Sequence, residues 1–175
     1  MYGLKGAGYL KKQTPAFNNA AKGCPFLLLT DLDTSPCPSQ LIADWLGNRP
    51  RHPRFLLRVA VHEVESWILA DKQGLATFLS SRETPGTQSP DQIPDPKQEL
   101  LRLAYGSTKR SLREDLVWRD QSSGRYFQGP DYNGTLARFV SNRWNLPVAM
   151  TLSASLEGPH LALGRLENDF REGGG

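Results

Sequence analysis

Two largely apolar segments stand out in a chain that is polar over most of its length. Residues 25–30 read Pro-Phe-Leu-Leu-Leu-Thr, and residues 54–61 read Arg-Phe-Leu-Leu-Arg-Val-Ala-Val. Runs of this length are typical of parallel strands that are buried on both faces. We therefore predict that the two segments form the central strands of a sheet that is covered by helices on both sides.

Amphipathic patterns around these strands predict helices, and capping residues locate the starts of two of them. Thr14 and Pro15 suit the N-cap and first position of a helix, and Asp95 and Pro96 suit the same positions of another. Residues 1–12 are predicted as a strand fragment followed by a glycine-rich turn. The helices are predicted over residues 14–22, 39–46, 64–80, 95–104, 107–116, 132–144 and 155–170.

The order of the predicted elements indicates the fold class. Helices alternate with strands in the first half, which is typical of an α/β fold with a parallel sheet and flanking helices. The second half carries helical patterns around a loop at residues 120–131, so we expect a C-terminal helical extension packed on the core. The predicted domains are an α/β core over residues 1–80, a polar linker over residues 81–94, and the extension over residues 95–172.

Composition narrows the class of protein without indicating an activity. The apolar runs in the 175 residues are all far shorter than the roughly 20 residues that a membrane span needs. The sequence also lacks the pattern of a signal peptide. We therefore expect a cytoplasmic protein without membrane association. Cys24 and Cys37 lack the spacing of a zinc site and are expected as reduced thiols. The net charge of +3 slightly favours a polyanionic partner such as nucleic acid.

Two aspartates follow directly after the first predicted strand. Asp31 and Asp33 are two residues apart, so an extended backbone would place them on one side of the strand. Ligands of parallel sheets bind outside the carboxyl ends of the strands. Paired carboxylates repel each other unless a cation lies between them, and oxygen ligands favour Mg²⁺ or Mn²⁺. The alternative is a solvated turn in which one aspartate caps the next helix.

A second acidic segment follows the second predicted strand. Glu63 or Glu65 could complete the shell of a metal ion, or could serve as an N-cap or a surface charge. His62 is expected to be a packing or surface residue rather than a ligand. Asp71 falls near the apolar stripe of the following helix, where a buried carboxylate needs a partner. A hydrogen bond with an arginine and a catalytic role fit this position equally well.

Basic and aromatic residues in the second half suggest a surface for phosphates and bases. The basic residues could contact phosphate groups, although a solvated helical face is the simpler interpretation. Tyr126, Phe127 and Tyr132 could stack on bases, or could pack within their own loop. The glycine motifs of P-loops and dinucleotide-binding folds and the nucleophile elbow are absent from the sequence. The candidate phosphate-binding residues are Lys97, Lys109, Arg110 and Arg113.

The two acidic segments together resemble a known family. A strand that ends in Asp-x-Asp, a helix, and a second strand that leads into Glu-x-Glu-x-Trp are similar to the Toprim-like proteins related to the overcoming-lysogenization-defect nucleases. A small bacterial subset of Toprim-like proteins is the most similar, and the pattern covers most of the chain. The matching segments are Asp31–Asp33, Glu63–Asp71, Asp95-Pro-Lys97, Gly129-Pro-x-Tyr-Asn133 and Ser153-Ala-Ser-Leu156.

The resemblance implies hydrolysis of phosphodiesters that depends on Mg²⁺ or Mn²⁺. Asp31 and Asp33 match the metal-binding aspartates of the family, and Glu65 or Glu63 matches its later acidic residue. The family also has a glutamate on the first strand that acts as acid or base. Because no acidic residue precedes Asp31, we expect that the first strand and helix of the family are missing here. The resemblance further implies nucleic acid as substrate, an ATPase partner in a phage-defence or mobile-element system, and a homodimer as one assembly.

Two other functions fit part of the same pattern. A Toprim-like module without catalytic activity would bind a protein or nucleic acid. A haloacid-dehalogenase-like phosphatase would use Asp31 as nucleophile and Asp33 as acid or base, with Lys97 and the pair Glu114–Asp115 as its later residues. The helical context that we predict for these later residues argues against the phosphatase.

Overall fold

The chain forms a mixed α/β structure in which helices flank small sheets. The structure, a computed structural model, describes residues 6–32, 34–61, 63–81, 83, 86 and 89–172, with the side chains of residues 170 and 172 excepted. Within these ranges, no helix combines the length and the apolar character that crossing a membrane requires. The order is α1 (Gly6–Ala20), β1 (Phe26–Asp31), α2 (Pro38–Leu46), β2 (Phe55–Ala60), α3 (Val64–Ala70), α4 (Lys72–Leu79), a 3₁₀ turn (Pro90–Gln92), α5 (Pro96–Tyr105), α6 (Arg110–Leu116), β3 (Val117–Arg119), β4 (Tyr126–Gln128), α7 (Tyr132–Asn142), α8 (Leu146–Leu152) and α9 (Ala154–Glu172).

The chain divides into two compact units. Unit 1 comprises Met1–Val61 with Ser155–Gly175, and unit 2 comprises His62–Ala154. The predicted linker, residues 81–94, therefore lies inside unit 2. The helix that follows β2, α3, packs against α5 and α8. Unit 2 therefore begins directly after β2 and includes the predicted linker.

Unit 1 is built on β1 and β2, which pair in parallel. Phe26 is the register partner of Phe55, and Asp31 is the register partner of Ala60. Both strands were correctly located by their apolar runs. Their shared face packs against the apolar side of α2. The buried residues of this core are Ala21, Leu28, Leu41, Trp45, Leu46, Phe55, Leu57 and Val59.

The prediction that β1 is covered on both faces is wrong. Leu28 and Thr30 are buried, whereas Leu27 and Leu29 are 50% and 37% exposed. The burial of β1 thus alternates with the period of two that a strand with one covered face has. Because leucine occupies both faces, the apolar run hid this alternation.

Helix α1 also differs from its prediction. Residues 6–12, predicted as strand and turn, are helical, and residues 1–5 lie outside the described ranges. Pro15 lies inside the helix rather than at its first position. Proline has no backbone N–H group, so α1 lacks one helical hydrogen bond at this residue. Thr14 is buried and donates its hydroxyl to the carbonyl of Leu10 at 2.9 Å, so it is not an N-cap.

The helix predicted over residues 64–80 is broken at Asp71, which is only 2% exposed. Its carboxylate accepts the amide of Gly74 at 2.9 Å and the amide of Asn145 at 2.7 Å. Asp71 therefore caps α4 and fixes the start of α8, which the sequence did not predict. Among the described residues, the partners that the carboxylate of Asp71 finds are backbone amides and not an arginine.

Unit 2 has its own apolar core, and the predicted loop at residues 120–131 contains part of a hairpin. Strands β3 and β4 pair antiparallel across it, with Trp118 opposite Phe127. The predicted N-cap Asp95 is confirmed, since its carboxylate accepts the amide of Gln98 at 2.9 Å. The core residues are Ile68, Leu69, Leu75, Leu79, Leu100, Leu101, Leu103, Ala104, Leu116, Val117, Tyr132, Leu136 and Phe139.

Candidate functional site

Asp31 is the last residue of β1 and is exposed. Its register partner Ala60 ends β2, and the amide of Leu32 donates to the carbonyl of Ala60 at 3.0 Å. The two parallel strands therefore end at the same level, which is the edge where parallel sheets bind ligands. Asp33 and His62 lie outside the described residues.

Glu63 and Glu65 share one cation in unit 2. The ammonium of Lys97 lies 3.2 Å from Oε1 of Glu63 and 3.5 Å from Oε1 of Glu65. Burial lowers the pKa of Lys97, but the attraction of Glu65 and Glu63 outweighs it, so that the pKa is raised above its ordinary value. Lys97 therefore stays charged and compensates two carboxylates, which leaves one net negative charge.

Tyr132 adds a neutral donor to the same cluster. Its hydroxyl donates to Oε1 of Glu65 at 2.9 Å, and both residues are buried. Burial of the ring, followed by the charge of Glu65, raises the pKa of Tyr132 far above its ordinary value. The hydroxyl thus holds its proton and can act on Glu65 only as a hydrogen-bond donor. We call Glu63, Glu65, Lys97 and Tyr132 the carboxylate cluster.

Helix α5 positions the lysine of the carboxylate cluster. Asp95 caps the helix and Pro96 begins it, so Lys97 lies in the first turn. Its backbone amide donates to Oε2 of Glu63 at 3.0 Å, and its ammonium binds Oε1 of the same carboxylate. Glu63 therefore satisfies an amide at the helix N-terminus, where a negative charge is also stabilised by the helix dipole.

Gly129 positions the tyrosine. A Cβ atom on this residue would collide with the backbone carbonyl oxygen of Asp115, so a side chain here would force the backbone to shift. Its amide donates to the carbonyl of Leu116 at 2.9 Å, which holds the segment before α7 against the end of α6. Tyr132 then begins α7 and reaches Glu65. A glycine is thus required three residues before the tyrosine.

The acidic residues of the two units differ in their surroundings, which decide whether they could bind a metal ion. Among the described residues, no group of three or more His, Cys, Asp or Glu side chains could hold one. Glu63 and Glu65 share the ammonium of Lys97, and Asp31 is exposed at the end of β1.

The four candidate phosphate-binding residues have different surroundings. Lys97 belongs to the carboxylate cluster. Arg110 pairs with Glu114 at 2.6 Å, and Arg113 donates to the carbonyl of Ser107 at 2.8 Å. Lys109 is the N-cap of α6. The pair Glu114–Asp115 lies on the same helix, so the helical context predicted for the phosphatase residues is present.

Sequence reasoning did not foresee that Tyr132 binds Glu65. The segments Glu63–Asp71, Asp95-Pro-Lys97 and Gly129-Pro-x-Tyr, which the sequence singles out separately, supply the carboxylate cluster. In comparisons with known proteins, no family model, curated protein or solved structure matches the chain.

Proposed function

We propose that the protein is a Toprim-like phosphodiesterase that hydrolyses nucleic acid with Mg²⁺ or Mn²⁺. The observation that carries the proposal is the placement of Asp31 at the carboxyl end of a parallel strand pair, exposed to solvent. Asp33, two residues on, supplies the second carboxylate of the proposed metal site. The metal would stabilise negative charge on the reacting phosphate and activate water.

The carboxylate cluster supports this proposal as a fixed charge arrangement in unit 2. Glu65 is buried and held by two donors, Tyr132 and Lys97, so its orientation is set by the fold. Preorganised charges of this kind are typical of functional sites, although ion-pair networks that only stabilise a fold also have them. We assign Glu65 and Glu63 to the function as oriented acidic residues that Lys97 neutralises in part.

The experiment that tests the proposal is hydrolysis of labelled single-stranded DNA, duplex DNA and RNA with added Mg²⁺ or Mn²⁺. The informative variant is Asp31→Asn with Asp33→Asn, which keeps shape and removes two negative charges. A matched control is Asp44→Asn with Asp169→Asn, because both residues are exposed aspartates of unit 1. We expect cleavage by the wild type and the control and none by the Asp31/Asp33 variant. Equal cleavage by both variants would show that these aspartates do not hold the metal.

A second candidate is a Toprim-like module that binds its partner without hydrolysis. It is favoured by the ammonium of Lys97, which already occupies the space between Glu63 and Glu65 that a cation ligand would take. This candidate predicts that the wild type does not bind Mg²⁺ and that Asp31→Asn with Asp33→Asn leaves partner binding unchanged.

A further inference from the structure

We propose that a basic groove in unit 1 binds the phosphate backbone of nucleic acid. The groove is a cavity of about 570 Å³ between the end of α1 and the loop that joins α2 to β2. Its cationic lining consists of Lys22, Arg49 and Arg51, with His52 beside them. The inference deepens the proposed function and rests on it for the choice of ligand, because it names the surface that would hold the substrate.

The loop of the basic groove is fixed in place by a buried asparagine. The side-chain amide of Asn18 donates to the carbonyl of Pro50 at 3.0 Å, and its carbonyl accepts the amide of His52 at 2.8 Å. Pro50 and Pro53 further restrict the backbone. The cationic side chains are thus presented by a preorganised backbone, which lowers the entropy that binding must overcome.

The basic groove concentrates positive charge. Among the described residues, no carboxylate lies within salt-bridge distance of Lys22, Arg49 or Arg51. The sequence has no acidic residue between Asp44 and Glu63. Accumulated positive charge without acidic neighbours is the electrostatic footprint of a polyanion site.

The pKa of Arg58 agrees with this accumulation of positive charge. Its pKa is lowered because burial removes water and because Arg51 and Arg165 repel its charge. A bound anion would relieve this repulsion. The distribution of charge along the chain agrees, since residues 1–61 carry eight Lys and Arg against three Asp and Glu, whereas residues 62–154 carry eleven of each. The excess of positive charge therefore lies in the first segment of unit 1.

Nucleic acid suits the basic groove better than a membrane surface does. The guanidinium groups of Arg49 and Arg51 match phosphate oxygens with paired hydrogen bonds. The apolar part of the lining consists of proline rings, whereas membrane-binding surfaces insert large apolar side chains from an amphipathic helix. Asn19, also in the lining, offers a polar group for sugar or phosphate.

The test measures binding without hydrolysis, by fluorescence anisotropy in EDTA with labelled single-stranded DNA of about 20 nucleotides, longer than the typical site of about 4–16. The groove variant is Arg49→Gln with Arg51→Gln. The matched control is Arg125→Gln with Arg143→Gln, two exposed arginines of unit 2. For single strands, the logarithm of the binding constant changes with the logarithm of the salt concentration by about −0.7 per phosphate contact. At about 0.1 M salt, each cation therefore strengthens binding about fivefold, and the groove variant, which lacks two cations, should bind about 25-fold more weakly. Circular dichroism checks that both variants fold.

Each outcome decides for or against the basic groove. Weaker binding by the groove variant alone, with a smaller salt slope, supports the proposal. Equal binding by wild type and groove variant overturns it, as does an equal loss in the control. If the wild type ignores DNA and RNA but binds vesicles with anionic lipid or a poly-glutamate peptide, the assignment to nucleic acid is wrong. If binding requires the basic groove but no metal supports cleavage, the inference stands and the proposed hydrolysis fails.

Discussion

Replacing Tyr132 by Phe isolates one hydrogen bond of the carboxylate cluster. The ring is 4% exposed, and its hydroxyl donates to Glu65 at 2.9 Å. Phe fills the same volume, so the change removes the hydroxyl and leaves no cavity. A hydrogen bond to a charged group contributes about 1.5–3 kcal/mol. Because Lys97 still lies 3.5 Å from the same oxygen of Glu65, we expect a loss of about 2 kcal/mol in the free energy of unfolding.

The assay is urea unfolding followed by circular dichroism and tryptophan fluorescence. Tyr105→Phe is the matched control, since Tyr105 is 40% exposed and should change stability by less than about 0.5 kcal/mol. A double-mutant cycle with Glu65→Gln should give a coupling energy of about 1 kcal/mol, because the hydroxyl then donates to a neutral amide oxygen. A loss for Tyr132→Phe no larger than that for Tyr105→Phe would refute the claim that this bond holds Glu65.

Four further substitutions test other parts of the structure. Ser123→Ala should raise the pKa of Asp120 from about 2 toward 3.8, since the hydroxyls of Ser123 and its neighbour stabilise the carboxylate, as an NMR titration of Asp120 would show. The stability that these hydrogen bonds contribute is present above about pH 3.8 and is lost as the pH falls through about 2. If the carboxylate of Asp120 in the wild type titrates with a midpoint near pH 3.8, these hydrogen bonds are absent. In thermal unfolding, Asp71→Ala should lower the free energy of unfolding by about 3 kcal/mol and Asp95→Ala by about 1 kcal/mol. The reason is that the buried carboxylate of Asp71 accepts two amides, whereas Asp95 caps one amide in solvent. Equal losses of stability would argue against the burial of Asp71. Gly129→Ala should cost about 1–3 kcal/mol from overpacking against the α6 backbone, and an unchanged melting temperature would contradict that close approach.

Local signals in the sequence were sufficient to locate β1, β2 and several helices, but not β3 and β4. The apolar runs located β1 and β2, and Asp95 with Pro96 located the start of α5. Local signals failed where tertiary contacts decide. Thr14 and Pro15 resemble a helix start, but both lie inside α1, where Thr14 is buried.

The candidate site was predictable as residue types and not as contacts. Glu65 and Lys97 could be selected from the sequence, but their pairing joins segments 32 residues apart, and Tyr132 lies 67 residues from Glu65. No periodicity in one sequence encodes such a contact. The basic groove was not predicted, because Arg49 and Arg51 lie in the proline-containing loop between the predicted helix 39–46 and the predicted strand 54–61.

The exposed face of β1 has a consequence for the proposed metal site. Leu27, Leu29 and Asp31 alternate along the strand and share its exposed face. Asp31 is exposed to solvent, whereas Glu65 is buried. The proposed function depends on this difference, since it assigns the metal to Asp31 and Asp33 and not to the carboxylate cluster.

Titration of the protein with Mn²⁺, followed by the loss of the free-ion electron paramagnetic resonance signal, tests that assignment most directly. We expect the wild type and the control Asp44→Asn with Asp169→Asn to bind the ion equally. Asp31→Asn with Asp33→Asn should bind it at least about tenfold more weakly, because two carboxylate ligands are lost. If the wild type binds no Mn²⁺, or if the Asp31/Asp33 variant binds it as tightly as the wild type, the proposed metal site at the end of β1 is wrong.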